Sequence, residues 1–235
     1  MVLLDDNFAT IVAAVEEGRV IYGNIRRFVK FSIAGNLGKV LVMLLAPLFG
    51  IPVALLPLQL LWLNLLTDGL LGLGLGLEPP GPGVMQRPPR APDAPFFPRS
   101  MLVQLLWVGS LIGALALALG LSYHSPGEPA GERWQTMIFT SLAFLQVGQA
   151  LASRSSVASL FTLGLGSNKP LLGLVLLTVG LQLGVLYLPV LQPFFQIVPL
   201  TLGELALCAG MGVALFAAVE IEKAVARARG KVRAP

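Results

Sequence analysis

Six stretches of this chain, at about 28–48, 57–77, 101–122, 136–152, 171–188 and 202–219, are apolar enough to cross a bilayer as helices. A spanning helix takes about 20 apolar residues, because in lipid every backbone polar group must be satisfied within the segment. The fourth and fifth stretches are short, so their ends are the least defined. The connections include "EPPGPGVMQRPPRAPDAPFFPRS", "HSPGEPAGERWQ" and "SRSSVASLFTLGLGSNK", where proline and glycine stop helices at places open to water. Charged residues make up 12% of the chain, against about 25% in a soluble domain. The expected fold is an all-α membrane protein, a six-transmembrane-helix bundle. Ahead of it, Phe8, Ile11, Val12 and Val15 alternate with charges over residues 8–27. That pattern predicts a partly amphipathic cytoplasmic stalk helix at the N-terminus, leading straight into the first span.

The basic residues orient the bundle. Arg19, Arg26, Arg27 and Lys30 cluster at the entry to the first span, and Arg87, Arg90 and Arg99 lie between the second and third. Arg154 and Lys169 lie between the fourth and fifth, and Lys223, Arg227, Arg229, Lys231 and Arg233 follow the sixth. All of these fall on one side, against Arg133 alone on the other. The positive-inside rule then puts both termini in the cytoplasm. The net charge of +4 is thus a topology signal and calls for no nucleic acid partner. The expected surroundings are the lipid bilayer.

Several other chemistries are excluded. A single cysteine, Cys208, cannot form an intrachain disulfide framework or a cysteine zinc site. The lone histidine, His124, has no second ligand at metal spacing. The N-terminal thirty residues lack the pattern of a secretory signal peptide. "TLGE", Thr201 to Glu204, has capping-box spacing at the start of the sixth span, which makes Glu204 a helix cap.

Polar residues inside the spans are the functional signal. "LWLNLLTDGLLGLGLG" holds Asp68 in an apolar run, where a charge costs roughly 2.5–3.5 kcal/mol on insertion scales. Asn64, Thr67 and Asp68 fall at i, i+3 and i+4, on one helical face. Ser32, Asn36 and Lys39 do the same on the first span. The two spans are antiparallel neighbours, so Lys39 and Asp68 come to similar depth near the midplane. Gln146 and Gln149 form a third polar pair, on the fourth span. Interhelical hydrogen bonding accounts for Ser32, and for the glutamines it stands level with an ion-site role. Carboxylate, amide and hydroxyl oxygens together suit hard cations, and intramembrane ionisable residues mark ion or proton paths. Glycines 69, 72, 74 and 76 permit close helix approach or local unwinding.

At these residues the sequence resembles the P-type cation-transporting ATPases, with the calcium- and sodium-pump branch nearest. "LPLQLLWLNLLTDGLLGLGLGLEPP" with "MQRPPRAP" is similar to that family's sixth transmembrane helix and the loop after it. "DDNFATIVAAVEEGRVIYGNIRRFVKFSIAGNLGKV" resembles the end of its phosphorylation domain, its stalk and its fifth helix. "NKPLLGLVLL" with the basic tail resembles the ninth and tenth. The resemblance implies a division into residues 1–27 (end of the phosphorylation domain and stalk helix), 28–77 (ion-binding helices five and six) and 78–100 (cytoplasmic loop). Residues 101–222 then hold helices seven to ten, and 223–235 a basic cytoplasmic tail.

The resemblance also implies a ligand set for the transported cation: Asn36, Asn64, Thr67, Asp68 and Gln146. Two positions depart from the calcium-pump pattern. Lys39 stands where helix five has a glutamate, and Gln146 where helix eight has one. Lys39 reads as a fixed counter-ion to Asp68, leaving the transported ion as calcium or another cation. Helices one to four, the actuator and nucleotide domains and the DKTGT aspartate are not among these residues, so no catalytic residue is assigned. Mg and ATP would belong to domains outside this chain. The expected function is the C-terminal ion-binding and translocation half of such a pump, partnered by its N-terminal half. The alternative is a stand-alone six-helix carrier, channel or scaffold without ATPase activity.

Overall fold

Stalk and first span are one helix. In the computed structural model α1 runs unbroken from Phe8 to Leu45, 38 residues, or about 57 Å at 1.5 Å per residue. That is well beyond the roughly 30 Å of bilayer hydrocarbon, so its N-terminal part extends past the apolar layer. A short 3-10 turn, Ala46–Phe49, ends it, and Gly50 closes the turn in the left-handed region at φ 84°. The structure describes residues 8–50, 53–81, 83–86, 88, 95–124, 133–155 and 158–229. The sequence readings for residues 1–7, Arg87, Arg90, residues 125–132, Lys231 and Arg233 lie outside the described residues.

The second span is built of three pieces placed end to end. α2 (Pro57–Leu61) passes into a π-helical segment, Trp62–Thr67, and that into α3 (Asp68–Gly76). The remaining helices are α4 (Arg99–Ser122), α5 (Arg133–Ser153), the one-turn α6 (Leu160–Leu163), α7 (Lys169–Tyr187), the short α8 (Gln192–Phe195) and α9 (Leu202–Ala228). Among the described residues every regular element is helical, and six helical stretches are long and apolar enough to cross a membrane. The expected spans are all present. α5 and α9 run further than the apolar windows, α9 to Ala228, because polar residues continue a helix whose first turns are already packed.

Local chemistry sets several helix ends. Thr201 and Glu204 form the expected capping box, with Glu204 Oε2 accepting from the Thr201 amide at 2.7 Å. Asn168 caps α7 by accepting from the Leu171 amide at 2.8 Å, with Pro170 in the first turn.

α5 is the centre of the bundle, packed against α9, α4 and α1, and α1 lies along α4. α5 and α9 cross at Gly148 and Gly212, where a Cβ on either would strike the opposing backbone. The main core runs through Ile112, Met137, Phe139, Leu142 and Leu215. A smaller cluster of Phe31, Leu71, Leu75, Ala150, Leu171 and Val175 fills the space among α1, α3, α5 and α7. Leu106, Leu176 and Val213 stay exposed, as suits helices that face lipid.

Candidate cation site

α1 lies antiparallel to the second span and is joined to it and to the loop after it at four levels, the first in that loop. Arg19 Nη1 donates to the Val84 carbonyl at 2.9 Å, and Asn24 Nδ2 donates to the carbonyls of Gly76 and Glu78, each at 2.9 Å. Next, the ring of Phe28 fills the space where Gly72 has no side chain; a Cβ there would sit 2.6 Å from the ring. Lys39 and Asp68 meet at the fourth level. Gly74 admits Leu171 of α7 in the same way, again at 2.6 Å from where a Cβ would be. Of the four glycines in this stretch, 72 and 74 therefore serve close approach, while 69 and 76 have nothing within 4 Å. The departure from regular α-helix falls before them, in the π-helical segment.

Lys39 Nζ lies 2.6 Å from Asp68 Oδ2 and 2.5 Å from Asn64 Oδ1. Both charges are buried, Lys39 at 3% and Asp68 at 6% exposure. Such a pair is stable because each charge would be far worse alone. The other carboxylate oxygen, Asp68 Oδ1, is buried and has no hydrogen-bond partner among the described residues. It is an acceptor facing no donor, of the kind a cation would fill. Thr67 is buried next to it in sequence, at the end of the π-helical segment.

The remaining expected ligands lie apart from this group. Asn36 is on the exposed face of α1 and donates to Ser32 Oγ at 3.4 Å. At about 100° per residue, Asn36 sits some 60° around the helix from Lys39, enough to separate an exposed edge from a buried stripe. Gln146 is fully buried against Gly35 of α1, and neither of its amide atoms has a partner among the described residues. Gln149 forms an interhelical bond, its Nε2 donating to the Phe31 carbonyl at 3.0 Å. No group of three or more His, Cys, Asp or Glu converges among the described residues. The donor set around Asp68 thus has one carboxylate, one amide and a fixed ammonium.

The π-helical segment is held from outside as well. Trp62 Nε1 donates to Gln182 Oε1 of α7 at 3.0 Å, and its ring meets Phe195 edge-on. Gln59 Nε2 donates to the Phe195 carbonyl at 2.9 Å. These contacts were not foreseen from sequence; a lone Trp and Gln inside an apolar span were the available signal.

A protein-family model described as cation transporting ATPase, C-terminus, matches residues 52–225. The chain is 42% identical to the calcium-transporting ATPase of Bacillus subtilis strain 168 over 212 residues, covering 90% of this chain and 24% of that protein. It is 35% identical to the endoplasmic reticulum calcium ATPase srcA of Aspergillus fumigatus, covering 87% of this chain and 24% of that protein. Similarity to the calcium-transporting ATPase type 2C member 1 of Bos taurus, 34% identical, covers 100% of this chain and 25% of that protein. The chain thus spans about a quarter of the length of these relatives.

Proposed function

The chain belongs to the P-type cation-transporting ATPase family, as its C-terminal transmembrane region, and from that premise we propose that it binds and translocates the ion of an ATP-driven cation pump. The Lys39–Asp68 pair within the second-span site carries this reading. The family match is to pumps and gives no support to a self-contained carrier, channel or scaffold. ATP, Mg and the phosphorylated aspartate would lie in an N-terminal part that supplies the actuator, nucleotide and phosphorylation domains and helices one to four. In this reading both termini are cytoplasmic, as the basic residues indicate.

The ligands would be Asp68, Asn64 and Thr67; Asn36 and Gln146, which lie apart from them in this arrangement, would join the set on movement of α1 and α5. Oxygen donors of this kind suit a hard cation, and calcium is the ion that the relatives' names give. Lys39 changes the electrostatics. Its ammonium already neutralises Asp68 and occupies space where the family has a carboxylate. A second divalent ion would meet a fixed positive charge in place of a ligand. The expected transport is therefore fewer ions per cycle than in a two-site pump, with calcium, a monovalent ion or a proton as the single cargo.

A chimera tests this: the chain replaces the matching last quarter of the Bacillus subtilis relative, and cation-dependent phosphoenzyme and vesicle uptake are measured. The expected result is a phosphoenzyme that requires a cation and is lost in Asp68→Asn. A phosphoenzyme indifferent to both would overturn the assignment. The 235-residue chain alone, given Mg and ATP, is expected to form none.

A further inference from the structure

A second buried ion pair lies at the cytoplasmic end of the second span, well away from Asp68. Glu78 follows the C-terminus of α3 and is only 5% exposed. A carboxylate there faces the negative end of the helix dipole and is out of water, so on its own it is unfavourable. It is held by Arg154, 2% exposed, which follows the C-terminus of α5, where the dipole favours a cation. Arg154 Nε lies 3.1 Å from both carboxylate oxygens, and Nη2 lies 2.8 Å from Oε1. The rest of the guanidinium is used too: Nη1 donates to the Gly164 carbonyl at 3.0 Å and Nη2 to Ser167 Oγ at 2.5 Å.

Two asparagines complete the junction. Asn168, while capping α7, donates from Nδ2 to Glu78 Oε2 at 2.7 Å and to the Gly74 carbonyl at 3.1 Å. Asn24 of α1 takes the carbonyls of Gly76 and Glu78. The ends of α5 and α7 therefore converge on the Glu78 carboxylate, just past the end of α3, and engage both its oxygens, while the stalk part of α1 holds the neighbouring main-chain carbonyls. Ten residues separate Glu78 from Asp68, about 15 Å of helix. Across that distance α3 is regular, while the π-helical segment lies on the far side of Asp68.

We propose that Glu78 and Arg154 are positioning residues for the Asp68 site: they fix the lower end of α3 to α5, α7 and the stalk, so that Asp68 keeps its register with Lys39. This rests on the pump reading above for its effect on transport, but its structural content stands without it. The compliant part of the second span is then the π-helical segment, and movement of the stalk reaches Asp68 through α3 as a rigid strut. A plain stability role would weaken the whole bundle; a positioning role displaces α3 selectively.

Two measurements separate these. The first uses the 235-residue chain in lipid nanodiscs with Cys208→Ser and spin labels at Leu73 on α3 and Leu176 on α7, with a reference pair at Leu106 and Val213. In Arg154→Met the Leu73–Leu176 distribution is expected to shift or widen by about 1–2 Å, the scale of helix shifts at packed contacts, with the reference pair unchanged. Glu78→Gln combined with Arg154→Met, which removes the tether but leaves no buried charge unpaired, is expected to keep the shifted or wider distribution; a return to the narrow one would show that only the unpaired charge mattered and would overturn the proposal. No change in Arg154→Met, or equal broadening of both pairs, would overturn the proposal. The second uses the chimera. Arg154→Met is expected to raise the half-saturating cation concentration about tenfold or more, since about 1 Å of misplacement can cost 100-fold. Phosphorylation by inorganic phosphate should persist. An unchanged half-saturation, or a loss of phosphate reactivity in proportion, counts against positioning. If the unmodified chimera shows no cation dependence, the pump reading falls and the distance measurement alone decides the junction.

Discussion

Trp62 and Gln182 are joined by a 3.0 Å hydrogen bond from the indole to the side-chain carbonyl, tying the first residue of the π-helical segment to the C-terminal half of α7. The other side-chain atom of Gln182, Nε2, has no partner among the described residues, so this bond is what holds its amide in place. Trp62→Phe keeps a ring against Phe195 and removes the donor. Expected is a loss of about 0.6–1.7 kcal/mol of stability, the range for interhelical bonds within membranes. Reversible unfolding in mixed micelles measures it; a stability equal to wild type would mean the bond contributes nothing.

The Lys39 series tests the charge logic of the candidate site. In the chimera, Asp68→Asn leaves the Lys39 ammonium buried without its partner and should abolish cation-dependent phosphorylation. Lys39→Glu returns an acidic group beside Asp68 and should increase dependence on a divalent cation or the number carried. Ions transported per ATP are compared in wild type, Lys39→Ala and Lys39→Glu. Identical stoichiometry and ion preference in all three would sink the counter-ion role.

Glycine substitutions should divide sharply. Gly72→Ala and Gly74→Ala drive a methyl into Phe28 and Leu171 and should each destabilise by about 1–3 kcal/mol, the usual effect of overpacking. Gly69→Ala meets nothing and should be neutral or slightly stabilising. The same unfolding measurement ranks them, and a destabilised Gly69→Ala would contradict the packing described.

Orientation is accessible by labelling. With Cys208→Ser, an impermeant thiol reagent applied from outside should modify Glu128→Cys and leave Arg90→Cys untouched. The reverse pattern would invert the bundle.

The spans were legible because insertion into lipid is decided residue by residue along the chain, and a window of apolar side chains records it directly. The same holds for the capping box at Thr201 and Glu204, whose partners are three residues apart. Depth was legible too: antiparallel register brought Lys39 level with Asp68, and the two are in contact. What escaped depends on distant groups. Asn36 shares a broad stripe with Lys39, and periodicity alone does not say where the buried edge of a stripe ends. The π-helical register of "WLNLLT" has no composition of its own and goes with anchors at Gln182 and Phe195, more than a hundred residues on. Glu78 and Arg154 read as a loop acid and a topology charge. Their pairing across 76 positions is a tertiary fact, although a lone acid directly after a span and before two prolines was a signal to pursue.

The unbroken course of α1 has a mechanical consequence. Asn24 and Lys39, which grip the second span at its lower end and its middle, are 15 residues apart, and at about 100° per residue their side chains leave the helix only some 60° from one another. A torque applied to the stalk would therefore swing both grips in the same sense, dragging α3 sideways as a whole. A bend would disturb one grip and spare the other. A helix unbroken from Phe8 to Leu45 has no joint along its length, so a twist applied at one end would arrive undivided at the other.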